Sequence, residues 1–234
     1  MNFYKNVIEH RGKLLVRGIH DGKEYKEKLD YAPTLYAITQ QQTDFQTLHG
    51  QYVKPIQFGN ISKAREFRRN YNTDNAPIFG MDRYQYQYIS DNYPDTIEYS
   101  KDHIKIFTVD IECACENGFP DVENPIEEIL AVTVKNQSNK QIITWGTGEF
   151  KTDRPDVTYI RCKSEKSLIM EFMKFWIKNY PDIITGWNTK FFDIPYLMNR
   201  ICHIVDEKVI KRFSPWNLVE RESIVVRGRP QTHY

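Results

Sequence analysis

The chain has 234 residues, 40% of them hydrophobic, 14% aromatic and 27% charged, and its 32 Lys and Arg against 31 Asp and Glu leave a formal net charge of +1. That composition belongs to a globular protein long enough for one or two domains with a sizeable core. It excludes a membrane-spanning helix, since no apolar run approaches the roughly 20 residues a bilayer requires, and it excludes the overall basic field that drives tight nonspecific DNA binding, so any nucleic-acid contact must be local.

The N-terminus, Met1-Asn-Phe-Tyr-Lys-Asn, lacks the apolar core of a signal peptide, and an intracellular protein with no membrane partner is expected. Residues 1 to about 100 carry short strand-like runs. Leu14-Leu-Val-Arg-Gly and the segment after Asp21-Gly22 form an expected hairpin, and Tyr52 to Phe58 reads as a strand interrupted by Pro55. Ser62 is positioned to cap a short helix through Arg65, Phe67 and Tyr71, which makes the first domain α+β. Asp91 to Asp95 is rich in turn residues and suggests a junction, with the boundary placed near residue 100, giving domains 1–100 and 101–234.

The second domain opens with an apolar strand over residues 104–112. It continues with Ile129 to Val134, turns between Asn136 and Asn139, and returns through Gln141 to Trp145 as a three-strand meander. Leu168, Ile169, Phe172, Phe175 and Trp176 recur at spacings of three and four after Ser164, predicting a helix whose aromatics are core. Asp182 to Thr185 returns as a strand. Gly186 and Asn188 are turn residues, and Leu197, Met198, Ile201 and Ile204 then keep helical spacing, so that Asp193 falls near a helix start. Cys113, Cys115, Cys162 and Cys202 show no paired zinc spacing and are expected as free thiols.

The chemistry-bearing residues lie at the ends of these strands. In Phe107-Thr-Val-Asp-Ile-Glu112, alternation along a strand projects Asp110 and Glu112 from one face, about 6–7 Å apart. Two carboxylates held that close repel each other unless protons or a cation neutralise them, and hard oxygen donors favour Mg²⁺ or Mn²⁺. Asp193 alone is as well explained as a helix cap. Together with Asp-x-Glu it reads as a third metal ligand. Phe119, between Gly118 and Pro120, suits either stacking on an unpaired base or anchoring its loop in the core. Asn188 suits either a sugar or phosphate contact or a turn, whereas Trp187 is expected to pack. Lys63, Arg65, Arg68 and Arg69 in the first domain, and Lys208, Lys211, Arg212, Arg221, Arg227 and Arg229 in the tail, suit either a phosphate backbone or a solvated face.

Phe-Thr-Val-Asp-Ile-Glu followed by Gly118-Phe-Pro120, then Thr185-Gly-Trp-Asn188 with Phe192-Asp-Ile-Pro-Tyr196, resembles the proofreading exonuclease region of B-family DNA polymerases, and most of all the T-even-type phage replicative polymerases. Tyr31-Ala-Pro-Thr-Leu-Tyr36 and Gly80-Met-Asp82 extend the likeness more faintly through the first domain. The resemblance implies an α/β ribonuclease-H-like domain with a mixed sheet after the α+β domain. It also implies a two-metal 3′-to-5′ exonuclease in which Asp110 is shared between the ions, Glu112 serves the ion that carries the nucleophile, and Asp193 serves the second. Phe119, Asn188 and Tyr196 would bind the single-stranded DNA 3′ end of a primer-template. The family's strand-separating hairpin would have its first arm at Ser223 to Val226, with the partner strand beyond Tyr234.

The family also draws a ligand Asp from a Tyr-x-x-x-Asp motif, and none of Asp206, Glu207, Glu220 and Glu222 lies four residues after a Tyr. The chain is therefore expected to be the N-terminal part of a larger polymerase, from a split gene, an incomplete reading frame or a designed fragment, with an incomplete domain that hydrolyses DNA weakly or not at all by itself. A phage origin implies the host cytoplasm. The rival reading is a noncatalytic subunit that docks on a separate polypeptide carrying the rest of the polymerase, or a regulator that binds RNA through the first domain.

Overall fold

The computed structural model describes residues 1–73, 77–226 and 228–234. The chain divides into two compact units, Met1–Ser100 and Lys101–Tyr234.

In the first unit, β1 (Phe3–His10), β2 (Lys13–His20) and β3 (Lys23–Leu29) form one antiparallel sheet in that order, while β4 (Thr34–Ile38) lies between β5 (Val53–Gln57) and β6 (Ile78–Phe79) in another. The turn at Asp21 and Gly22 has φ of 49° and 75°, the doubly positive backbone of a tight hairpin, which a short Asp and a Gly tolerate. Pro55 is accommodated because β5 pairs only with β4, and an edge strand can lose a donor. Helix α1 (Ile61–Thr73) begins two residues earlier than a Ser62 cap allows. Asn60 is the cap: its Oδ1 accepts the Lys63 N–H at 2.9 Å. The Tyr-rich segment Tyr84–Asn92 forms α2 and covers the start of the expected junction, and the long strand β1 also lacked a sequence signal. Leu14, Val16, Leu35, Ile61, Ala64 and Tyr84 form this unit's core.

The second unit is built on a five-stranded mixed sheet in the order β10-β9-β8-β7-β11. Strands β7 (Ile106–Cys113), β8 (Ile129–Asn136) and β9 (Ile142–Gly146) form the antiparallel meander. β10 (Val157–Arg161), unforeseen from its mixed polarity, joins β9 in parallel. Helix α3 (Glu165–Asn179) starts from a Ser164 cap and buries Leu168, Ile169, Phe172, Met173 and Trp176. Its rings meet the sheet directly, with Trp145 and Phe172 centroids 5.4 Å apart and Phe107 and Phe175 at 5.8 Å. Each such side chain contributes about 1.5–3 kcal/mol on full burial.

The chain then crosses to the far edge as β11 (Ile183–Thr185), parallel to β7 but paired only with residues Ile106 to Thr108. Helix α4 (Asp193–Ile204), the short α5 (Glu207–Ile210) and a hairpin of β12 (Glu222–Val226) and β13 (Arg229–His233) complete the unit. The partner strand expected beyond Tyr234 thus lies within the chain. All four cysteines are free. Among the described residues no helix is long and apolar enough to cross a membrane.

Candidate active site

Strand β7 alternates as its sequence dictates. Phe107, Val109 and Ile111 are buried, while Asp110 and Glu112 are exposed. A bulge after Glu112 shifts the pairing with β8 by one residue, the kind of irregularity that redirects a side chain at the end of a ladder.

Because β11 pairs with β7 only as far as Thr108, the outer edge of β7 is open beyond that point. Two groups fill it. Gly186 folds over the Val109 carbonyl so closely that a Cβ there would lie 2.6 Å from that oxygen and 2.0 Å from Thr189 Oγ1. No side chain fits, which accounts for the glycine at this turn. Asp193, the first residue of α4, then accepts the Ile111 N–H with its carboxylate. It is not the cap, a position held by Phe192 without a side-chain hydrogen bond. Asp193 is 5% exposed, and burial first, then the neighbouring Asp110 charge, and more weakly that of Glu112, push its pKa upward.

The fold therefore brings a buried acid to the edge of the strand that carries two exposed ones. Among the described residues no three His, Cys, Asp or Glu side chains come close enough to form a ready-made metal cage. Asp110, Glu112 and Asp193 are all carboxylates, the hard oxygen donors that divalent cations take, and Asp193 is the one whose charge burial disfavours.

Beside the acids, the loop from Ala114 to Glu128 carries Phe119. It is 86% exposed, which rules out the buried-anchor alternative. Its ring leans on Phe192 at 5.5 Å, and Phe192 stacks on Tyr196 at 5.5 Å. The preceding Gly118 has φ of 103°, a conformation side chains rarely adopt, so the turn that presents Phe119 depends on it. Phe119, Asn188, Phe192 and the hairpin residues Pro230 and Gln231 line a cleft of about 1070 Å³. Asn188 is exposed at its rim.

Tyr196, expected at the substrate, is fully buried, and its hydroxyl donates to the Glu127 carbonyl at 2.7 Å, with burial pushing its pKa up to about 12. It thereby holds the Phe119 loop from beneath. One expectation is corrected here: Trp187, expected to pack, is fully exposed.

The basic clusters divide in the same way. Arg65 pairs with Glu9 at 2.8 Å, Arg68 donates to the Gly80 carbonyl and Arg221 pairs with Glu123, leaving Lys63, Lys208, Lys211 and Arg212 on exposed surface. Arg227 and the Arg229 side chain lie outside the described residues.

Sequence reasoning missed the supports of the loop. Glu127, Glu165, Asn199 and Arg200 are all less than 10% exposed, and the lone Arg200 among the helically spaced apolar Leu197, Met198, Ile201 and Ile204 was the available signal.

Comparison with known proteins follows this geometry. The family model described as "DNA polymerase family B, exonuclease domain" matches residues 49–231. The chain is 27% identical to the DNA-directed DNA polymerase of Enterobacteria phage T4 over 95% of its own length, and 29% identical to that of Escherichia phage RB69 over 91%. It spans only 28% and 27% of the length of those relatives. A 33% identity to the DNA polymerase delta catalytic subunit of Candida albicans covers 42% of the chain.

Proposed function

Because the chain belongs to the family of B-family DNA polymerase exonuclease domains, we propose that residues 101–234 form a ribonuclease-H-like 3′-to-5′ exonuclease domain that receives an unpaired DNA 3′ end. The meander, α3 and the parallel return of β11 beside β7 support that fold reading. Asp110, Glu112 and Asp193 would hold Mg²⁺ or Mn²⁺. When bound, the ions supply an activated water and stabilisation of the leaving oxygen. The chain's own contribution is positional. Phe119 offers an open ring for the terminal base, Asn188 a side-chain amide for sugar or phosphate, and the buried Asp193 a carboxylate whose charge is costly until a cation arrives.

The placement of the buried Asp193 carboxylate at the edge of β7, beside the exposed Asp110 and Glu112 of that strand, is the observation that carries this reading.

The test pairs Mn²⁺ calorimetry with a 5′-labelled, 3′-mismatched primer-template. Wild-type chain binds Mn²⁺ and shortens the primer, and Asp110→Ala loses both. Equal Mn²⁺ binding by the two proteins, or shortening that survives the substitution, sinks the proposal.

One observation favours a second reading, a polymerase-docking subunit. Ile183, Ile184 and Trp187 along the β11 edge are 48%, 41% and 102% exposed, an apolar rim suited to another polypeptide. Nuclease activity that rises with added partner carrying the missing motif supports this reading, and absence of association removes it.

A further inference from the structure

Helix α4 begins with Asp193, and three further side chains on one face of it, Tyr196, Asn199 and Arg200, all end on backbone carbonyls of the loop that presents Phe119. Tyr196 donates to Glu127 O, Asn199 Nδ2 to Val122 O at 2.7 Å, and Arg200 Nη1 to Pro125 O and Ile126 O, both at 2.9 Å. The remaining donors of Arg200 are also committed. Its Nε and Nη2 each reach a Glu165 oxygen at 2.7 Å, a bidentate ion pair with both partners under 10% exposed.

Glu165 in turn accepts the Ile129 N–H at 2.8 Å, where the loop re-enters β8. Glu127 closes the other end by accepting the Asn117 N–H and Nδ2 and, more weakly, the Glu116 N–H, just before Phe119. Such a fork needs the planar guanidinium, since Lys has only three donors on a flexible stem and cannot make the four hydrogen bonds, two to Glu165 and two to carbonyls, that Arg200 makes.

We propose that Arg200, braced by Glu165, is a positioning residue that locks the Phe119 loop onto the helix carrying Asp193, so that the site for the terminal base and the site for its phosphate move as one body. The inference rests on the preceding reading of Phe119 as the platform for the terminal base. It goes beyond that reading by assigning the alignment of that platform to a buried ion pair.

The test uses the full chain, Ca²⁺ in place of a catalytic ion, and single-stranded DNA carrying 2-aminopurine either at the 3′ terminus or at an internal position. Phe119→Ala weakens binding reported by the 3′-terminal probe by about 5- to 100-fold, the loss of one base stack. Arg200→Lys, folded by circular dichroism, also loses at least about fivefold in the stacked-to-unstacked ratio of the bound 3′-terminal probe, while the signal of the internal probe in the bound DNA is unchanged. If Phe119→Ala leaves the terminal signal intact, the platform reading fails and the inference falls with it. If Phe119→Ala removes the signal and folded Arg200→Lys keeps it, the platform stands and the positioning role is overturned. Hydrogen exchange on the wild-type chain decides the matter even where Arg200→Lys does not fold. The Glu116, Asn117 and Ile129 amides exchange together with those of α4, and faster, independent opening of the loop overturns the proposal.

Discussion

At Asp193, burial and the Asp110 charge both favour the protonated carboxyl, and they set a pH dependence whose sign can be worked out. A carboxyl whose folded pKa lies above its unfolded value adds stability below the unfolded pKa, and that stability is lost as pH rises through the folded pKa. Asp193→Asn is therefore expected to raise the melting temperature of the metal-free chain at neutral pH, with the gain fading as pH falls into the ordinary carboxylate range, while Mn²⁺ binding drops. Thermal scans across pH check the first part and calorimetry the second. Phe119 shows the opposite balance. At 86% exposure it contributes little to the core, so Phe119→Ala is expected to leave the unfolding free energy within about 0.5 kcal/mol of wild type. The same substitution costs about 1–3 kcal/mol in single-stranded DNA affinity. A large loss of stability with unchanged affinity would reverse that assignment.

Among the elements, the β12–β13 hairpin is tied to the Phe119 loop through one acid. Glu123 Oε1 accepts the Thr232 N–H at 2.9 Å, and Oε2 pairs with Arg221 at 3.1 Å. Partial burial opposes ionisation of Glu123, yet the Thr232 donors and Arg221 prevail and hold its pKa below the usual glutamate value. A depressed pKa contributes stability above the unfolded value, near 4.3, and loses it as pH falls through the folded one. The Thr232 amide is therefore expected to stay protected from hydrogen exchange at neutral pH and to lose protection below about pH 4 ahead of the sheet amides. Glu123→Gln should flatten that dependence. Protection independent of pH in the wild-type chain would show that the hairpin is held by other contacts, such as the hydrogen bond from the Tyr234 hydroxyl to Asn199.

For the molecule as a whole, each unit has its own core. Leu14, Leu35, Ile61 and Tyr84 anchor the first, and Val109, Trp145, Phe172 and Leu197 the second. A unit with a separate core can unfold as a separate cooperative step. Residues 101–234 expressed alone are expected to keep a near-ultraviolet circular dichroism signal from the buried Trp145 and Trp176 and to melt cooperatively. A molten spectrum from that piece would show that its core is not self-sufficient.

Much of this was readable from the residues, because it depends on local periodicity. Strict alternation in Phe107-Thr-Val-Asp-Ile-Glu112 determined which side chains of β7 face outward, and spacings of three and four in Leu168 to Trp176 determined the buried face of α3. Two-residue turn chemistry at Asp21-Gly22 determined a hairpin. The pairing of the Asp-x-Glu strand with the later Asp193 motif was legible through family likeness, since spacing alone carries no information about which distant segments meet. Only the tertiary structure decided the rest. Tyr196 and Phe119 are both aromatics in motif positions, yet one is sealed beneath Glu127 and the other stands in solvent. Trp187 lies exposed in the bend that follows β11, and β13 completes the hairpin within the chain. Burial, strand order and the partners of a charged group such as Arg200 are properties of contacts between residues far apart in sequence. A local pattern constrains such contacts without choosing among them.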